Sequence, residues 1–203
     1  MKTMKQSGVH PKQIDAIREV VNIGAGHAAT ALSTMTNVTV MISVPRILWS
    51  DRPDGVPSLP DDERLVMVSV PVSAPSTGSG ERASLIIGRR TAMRMVGLLL
   101  RRPANPDGEF GLLERSTLQE LGNIVCASYV GVLGSFLGES VMIGTPELRE
   151  GPRAEVVGEM GNGLMIETDF TLQDSTFEGV FVLSHSEVSF ASLLEALGLS
   201  DPS

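Results

Sequence analysis

Two copies of one polar pattern hold the side chains best suited to chemistry. The first is Asp15-x3-Glu19-x2-Asn22 and the second Ser116-x3-Glu120-x2-Asn123, with every position separated by 101 residues. Pro45 and Pro146 extend the match at the same offset, so both copies read [Asp/Ser]-x3-Glu-x2-Asn-x22-Pro. A carboxamide accepts a hydrogen bond from water and donates one to a phosphoryl oxygen, which suits it to orient an attacking water. A neighbouring carboxylate can anchor a lysine or arginine of a partner. The two together make a poor nucleophilic pair, and they suit a reaction whose electrophile and metal arrive on another molecule. The three histidines, His10, His27 and His185, are scattered singly, and no Ser/His/Asp relay can be argued for.

Helical periodicity runs through both copies. Ile14, Ile17, Val21, Ala25, Ala28, Ala29 and Leu32 recur at helical spacing from Pro11 to about Thr36, and Leu112–Leu137 behaves alike. Residues three apart on a helix lie about 60° from each other around its axis, so Glu19 projects beside Asn22 and Glu120 beside Asn123. Asp15 and Ser116 join the same stripe one turn earlier. The core-facing stripe passes through Ile17, Val21 and Ala28 in one helix and Leu118, Leu121, Val125 and Leu133 in the other, so the Glu/Asn stripe is expected in solvent. Asparagine costs roughly 0.5 kcal/mol against alanine inside a helix. Shared ancestry alone would tend to keep apolar positions, yet the polar ones match while Gly24/Val125 and Gly26/Ala127 have diverged. That contrast favours a functional stripe over a merely solvated one.

The elements around these helices also recur. Val38–Leu48 reads as a strand, Ser50–Arg64 as an exposed acidic and proline-rich loop, and Leu65–Ala74 as a strand through Val66, Val68, Val70 and Val72. Ser76–Gly80 is a turn, Ala83–Gly88 a third strand, and Arg89–Leu100 an amphipathic helix. A linker, Arg101–Gly111, follows. The second half then offers Glu139–Leu148 as a strand, Glu155–Glu159 as a short extended piece, strands at Gly163–Phe170 and Phe177–Ser184, and a closing helix Ser186–Leu199. The expected organisation is one domain over 1–203. It comprises two repeats, about 11–100 and 112–199, of helix, three strands and helix, with linker 101–111 between them. Two such halves would pack as a pseudo-twofold pair.

Composition narrows the function classes. The 203 residues include 16 Lys+Arg and 24 Asp+Glu, a net charge of −8, which disfavours binding to nucleic acid. Charged residues at 20% and hydrophobic ones at 42% fit a folded globular chain. Cys126 is the only cysteine, which excludes an internal disulfide and a cysteine-based metal cluster. No run of eighteen apolar residues occurs, and the first residues lack the apolar stretch of a signal peptide, so a cytoplasmic protein with no membrane span is expected.

The twice-met pattern resembles the signature of the CheC/CheX/FliY phosphatases of bacterial and archaeal chemotaxis. The likeness covers nearly the whole chain, from about Pro11 to Leu199, and two intact copies look most like CheC. The resemblance implies an α/β (α+β) fold with an antiparallel-rich sheet and two long active-site helices on one surface. It implies a phosphatase acting on the aspartyl-phosphate of the response regulator CheY. Asn22 or Asn123 would hold water in line with the acyl phosphate, and Glu19 or Glu120 would pair with the regulator's lysine. The chain would need no metal or cofactor of its own, because the regulator carries Mg²⁺. Asp15 and Ser116 would be supporting residues, as would Pro45 and Pro146, which are read as marking a strand edge or bend. The family also binds the receptor deamidase CheD, typically through the second-half terminal helix, here Ser186–Leu199 with Phe190 and Leu194.

Two rival readings exist. The string Gly24-Ala25-Gly26-His27-Ala28-Ala29 matches G-x-G-x-x-A, but helical periodicity runs straight through it and no acidic residue follows about 20 positions later, as a dinucleotide site requires. A non-catalytic adaptor of the chemotaxis or flagellar switch, binding CheY-phosphate or CheD, is the alternative to a phosphatase.

Overall fold

Apolar residues on one stripe wind Pro11–Thr36 into a single helix, α1, whose Ile17, Val20, Val21, Ala25, Ala28 and Leu32 are buried. This computed structural model describes residues 2–3, 11–50, 64–75, 78–103, 105, 107–158, 163–172 and 175–184. A two-residue strand, β1 (Lys2–Thr3), precedes α1. After it come β2 (Val40–Ile42), β3 (Arg46–Ser50), β4 (Leu65–Ala74), β5 (Gly78–Gly88) and α2 (Arg89–Leu99). The second helix of 26 residues is α3 (Leu112–Leu137), followed by β6 (Met142–Ile143), β7 (Glu147–Gly151), α4 (Arg153–Gly158), β8 (Gly163–Leu172) and β9 (Ser175–Ser184).

All described strands form one antiparallel sheet, so the fold is a mixed helix and antiparallel-sheet architecture. Its centre is the ladder between β5 and β9, where Leu85 pairs with Phe181. Hairpins β4–β5 and β8–β9 flank that ladder. The short strands cross over between them. Strands β2 and β3 pair with β8, while β6 and β7 pair with β4. Each pair of short strands therefore lies on the hairpin that belongs to the other half of the chain.

Two apolar layers sandwich the sheet. Helices α1, α2 and α3 cover the face presented by Val66, Val68, Val70, Leu85, Ile87, Ile166, Phe170 and Phe181. On the reverse face Leu65, Met67, Ile86, Met165, Val180 and Val182 cluster with Val156 and Val157 of α4. Strand β4 is thus buried on both sides, which explains why Leu65 and Met67 interrupt the alternation seen at Val66, Val68 and Val70. Helix α3 is long and apolar enough to cross a bilayer, yet half of its most apolar window is buried, and it works as a core helix.

Three local expectations need correction. The segments read as single strands, Val38–Leu48 and Glu139–Leu148, are each broken in two, because a proline without an N–H cannot continue a ladder. Within the piece read as extended over Glu155–Glu159, residues 155–158 are helical: α4 covers Arg153–Gly158 and tucks Val156 and Val157 onto the sheet. Strand β5 begins at Gly78, inside the segment read as a turn. Most of the Ser50–Arg64 loop and the whole closing helix Ser186–Leu199, including Phe190 and Leu194, lie outside the described residues. Within the linker, Phe110 is buried and the Arg89 guanidinium sits 5.2 Å from its ring centroid. Glu114 starts α3: its carboxylate bonds backbone N–H groups, including that of the N-cap Gly111, and pairs with Arg102, which together hold it below its ordinary pKa.

The glycines of α1 divide by environment. A Cβ on Gly24 would lie 2.7 Å from Tyr129 Cδ1 and 3.2 Å from Tyr129 Cα, so α3 packs backbone-close at this point. A Cβ on Gly26 would meet nothing within 4 Å. Gly24→Ala is expected to destabilise by about 1–3 kcal/mol through overpacking. Gly26→Ala should instead stabilise by roughly 0.5–1 kcal/mol through helix propensity alone. Chemical denaturation of the two variants checks the opposite signs.

Candidate functional site

Both Glu/Asn stripes lie on long helices that the sheet holds from beneath. On α1 the residues Asp15, Glu19 and Asn22 are exposed, opposite the buried Ile17, Val21 and Ala28. On α3 Ser116 and Glu120 are exposed and Asn123 is half-buried. The stripe is therefore open to solvent on both helices, more fully at Asn22 than at Asn123. Residues 20–29 lie within α1, with no strand-to-helix turn, which removes the dinucleotide reading.

The rotation of α3 follows from its packing. A Cβ on Gly122 would stand 2.4 Å from Val68 Cβ and Cγ1, so the helix backbone presses directly on β4 there. Counting 100° per residue from Gly122, Gln119 lies about 60° round the axis, Asn123 about 100° and Glu120 about 160°, all in one sense. The side chains thus fan from the sheet outward in the order Gly122, Gln119, Asn123, Glu120. Gln119 reaches the sheet edge, where its Nε2 donates to the Pro146 carbonyl at 2.9 Å.

Pro146 is part of an irregularity that both halves contain. Between the pairs Ile143–Val72 and Glu147–Ser69, three residues (144–146) oppose two (70–71). Between Ile42–Phe170 and Arg46–Glu167, three residues (43–45) oppose two (168–169). One extra residue in each place makes a bulge, and a proline ends each bulge where no ladder N–H is needed. In the first bulge Ser43 N–H donates to the Asp169 carbonyl at 2.9 Å, and Ser43 Oγ accepts from the Asp169 N–H at 3.0 Å. Pro45 is buried and Pro146 half-buried.

The two copies differ in their supports. Arg18 occupies the position of Gln119 on α1 and pairs with Asp15 at 3.3 Å, along its own helix. An ion pair this exposed contributes little to stability. Sequence reasoning passed over Gln119, because it falls on a variable position of the pattern and its partner is a backbone carbonyl 27 residues away. Among the described residues, no group of three or more His, Cys, Asp or Glu side chains could hold a metal ion. Cys126 is buried, and burial pushes its thiol far above the ordinary value.

The chain thus has the class of architecture in which two long helices lie on one face of an antiparallel sheet and present matching polar stripes. Comparison with known proteins is consistent with that class. Residues 13–48, which hold the first stripe and its proline, match the CheC-like family. The CheY-P phosphatase CheC of Bacillus subtilis is 28% identical over an alignment covering 96% of this chain and 98% of that protein. CheC1 of Halobacterium salinarum is 21% identical, covering 92% of this chain and 96% of its own length. Among solved structures, Thermotoga maritima FliY superposes with a TM-score of 0.73 at 17% identity, covering 96% of this chain and 100% of FliY. CheX, from its complex with CheY of Borrelia burgdorferi, gives 0.55 at 19% identity over 82% of this chain and 98% of that one. Together these matches support the CheC family.

Exposed side chains on the outer flank of a packed helix should be dispensable for folding. Asn22→Ala and Glu19→Gln are each expected to change stability by no more than about 0.5 kcal/mol, with Asn22→Ala on the stabilising side. Thermal unfolding of the purified variants provides the measurement. A large loss at Asn22 would make it a structural residue.

Proposed function

We propose that this CheC-like protein hydrolyses the aspartyl-phosphate of a CheY-type response regulator. The observation that carries the reading is the recurrence of an outward Glu/Asn pair at one position on two helices of equal length, α1 and α3. The names of the B. subtilis and H. salinarum relatives support it. In this reading Glu19 or Glu120 pairs with a lysine of the regulator and draws the helix against its phosphorylated site. The carboxamide of Asn22 or Asn123 accepts a hydrogen bond from a water molecule and holds it in line with phosphorus. The water oxygen forms a new bond to phosphorus and the bond from phosphorus to the aspartyl oxygen breaks. The products are inorganic phosphate and a free aspartate carboxylate, with the proton of water passing to the phosphate.

The regulator supplies Mg²⁺, which neutralises charge on the phosphoryl oxygens; this chain supplies docking and orientation. Such work belongs in the cytoplasm, where the regulator is phosphorylated. Partnership with CheD, through Phe190 and Leu194 of the terminal segment, extends the proposal.

A second reading has its own support. FliM, from a FliG–FliM complex of H. pylori, superposes with a TM-score of 0.67 against 0.55 for CheX. That ordering favours an adaptor of the flagellar switch that binds the phosphorylated regulator without turning it over.

One assay separates the two. Adding the protein to phosphorylated CheY should speed phosphate release, and Asn22→Ala with Asn123→Ala should return decay to the intrinsic rate while leaving the fold intact. Binding without acceleration by the parent protein selects the adaptor. Acceleration by the double variant equal to the parent rejects the assigned residues. Phe190→Ala or Leu194→Ala should reduce co-purification of CheD, and undiminished capture counts against that site.

A further inference from the structure

The hydrogen bond between Gln119 and the bulge before β7 has no part in the motif, yet it lies at the foot of the second Glu/Asn pair. Its donor sits one residue before Glu120, and its acceptor is the carbonyl of the motif proline, 2.9 Å away. Around α3, Gln119 falls between Gly122, pressed on Val68, and Asn123, which is half-buried on the same side. Gly122 on Val68 and Tyr129 on Phe181 seat the apolar side of α3 on the sheet, and the flank that carries Asn123 lies outside those contacts. The Gln119 bond adds a polar attachment on that flank, about 60° round the axis from Gly122, to a part of the sheet edge that the β4–β7 ladder holds in register.

We infer that Gln119 is a positioning residue for the second site: by clamping α3 to the Pro146 bulge it sets the direction in which Asn123 and Glu120 project. The inference rests on the phosphatase reading and deepens it. An asparagine that aligns water contributes through geometry alone, so a roll of α3 that displaces its amide by about 1 Å is costly to rate. The first site is built differently. Arg18 stands in the corresponding place and its guanidinium is engaged by Asp15, while the 43–45 bulge is held by Ser43 and Asp169. Among the described residues, a side-chain clamp from the stripe's own helix to the motif proline is seen at the second site.

The test uses Gln119→Met, which keeps length and apolar bulk but removes the donor, placed in two backgrounds. With Asn22→Ala present, only the second site acts; there Gln119→Met should lower kcat roughly tenfold with KM for phosphorylated regulator nearly unchanged. Gln119→Lys, which retains a donor to the carbonyl, should recover most of that loss. With Asn123→Ala present, only the first site acts, and Gln119→Met should leave its rate at the background value. A residue that merely supported the fold would depress both backgrounds alike and lower the melting temperature in proportion. Equal effects in the two backgrounds, no effect in either, or an Asn22→Ala protein without activity would each overturn the inference. A parent protein that never accelerates decay overturns the phosphatase reading itself, and the inference with it.

Discussion

The backbone-close packing of α1 on α3 is the constraint from which the rest of the arrangement follows. At Gly24 the absence of a side chain lets α1 approach Tyr129, and Tyr129 in turn stacks on Phe181 with ring centroids 4.6 Å apart. Phe181 belongs to the central β5–β9 ladder, opposite Leu85. One line of contact therefore runs from helix through helix to the middle of the sheet. A second close approach, Gly122 on Val68, seats α3 over β4. With their inner sides so committed, the helices can offer solvent only their outer flanks, and the Glu/Asn stripes occupy those flanks. The Tyr129 ring is buried, and burial raises its hydroxyl's pKa, so it stays neutral and serves packing rather than proton transfer.

The sheet edges answer this helix pair with two bulges. Strands twist and bend where an extra residue enters, and each bulge turns its edge beside a helix that carries a stripe. Proline is suited to that position because the unpaired residue loses no ladder bond. In the second copy the spacing from asparagine to proline is thereby the length of chain needed to finish the helix, cross to the hairpin of the other half, and arrive back beside Gln119. Reciprocal pairing of the short strands makes each site depend on both halves of the chain: the bulge at 43–45 is held by Asp169 of β8, and the bulge at 144–146 by Pro71 of β4 through the Gly144 N–H.

How much of this was readable in the residues depends on which interactions are local. Both long helices were legible to their ends, because the apolar period runs unbroken and Gly138, in the left-handed conformation at the C-cap of α3, marks its stop. The stripes were legible because a polar residue with poor helix propensity, Asn22 or Asn123, needs a reason to stand in mid-helix. The breaks at Pro45 and Pro146 were half-legible: a bend was expected there, but a bulge is a relation between two strands, and its partner lies more than 100 residues away for β2 and β3. The helix α4 was missed since six residues hold too little periodicity to tell it from an extended piece. Gln119 left no signal at all, because hydrogen bonds to backbone carbonyls impose nothing on the identity of the accepting residue.

A protein that contributes neither nucleophile nor metal to a reaction can accelerate it only by placing atoms. For such a protein the rigidity of the presenting helix is part of the chemistry, and a stripe on an isolated surface helix would roll and fray too freely to align water. Here α1 and α3 are each 26 residues long, and their stripes fall in the first half of the helix, beside the close contacts at Gly24 and Gly122 rather than at the ends where helices fray. The unequal burial of Asn22 and Asn123 then has a consequence for exchange with partners. A fully exposed amide meets any surface that approaches, whereas a half-buried one is open on fewer sides. The two copies thus share the Glu/Asn pair and differ in how openly they present its amide.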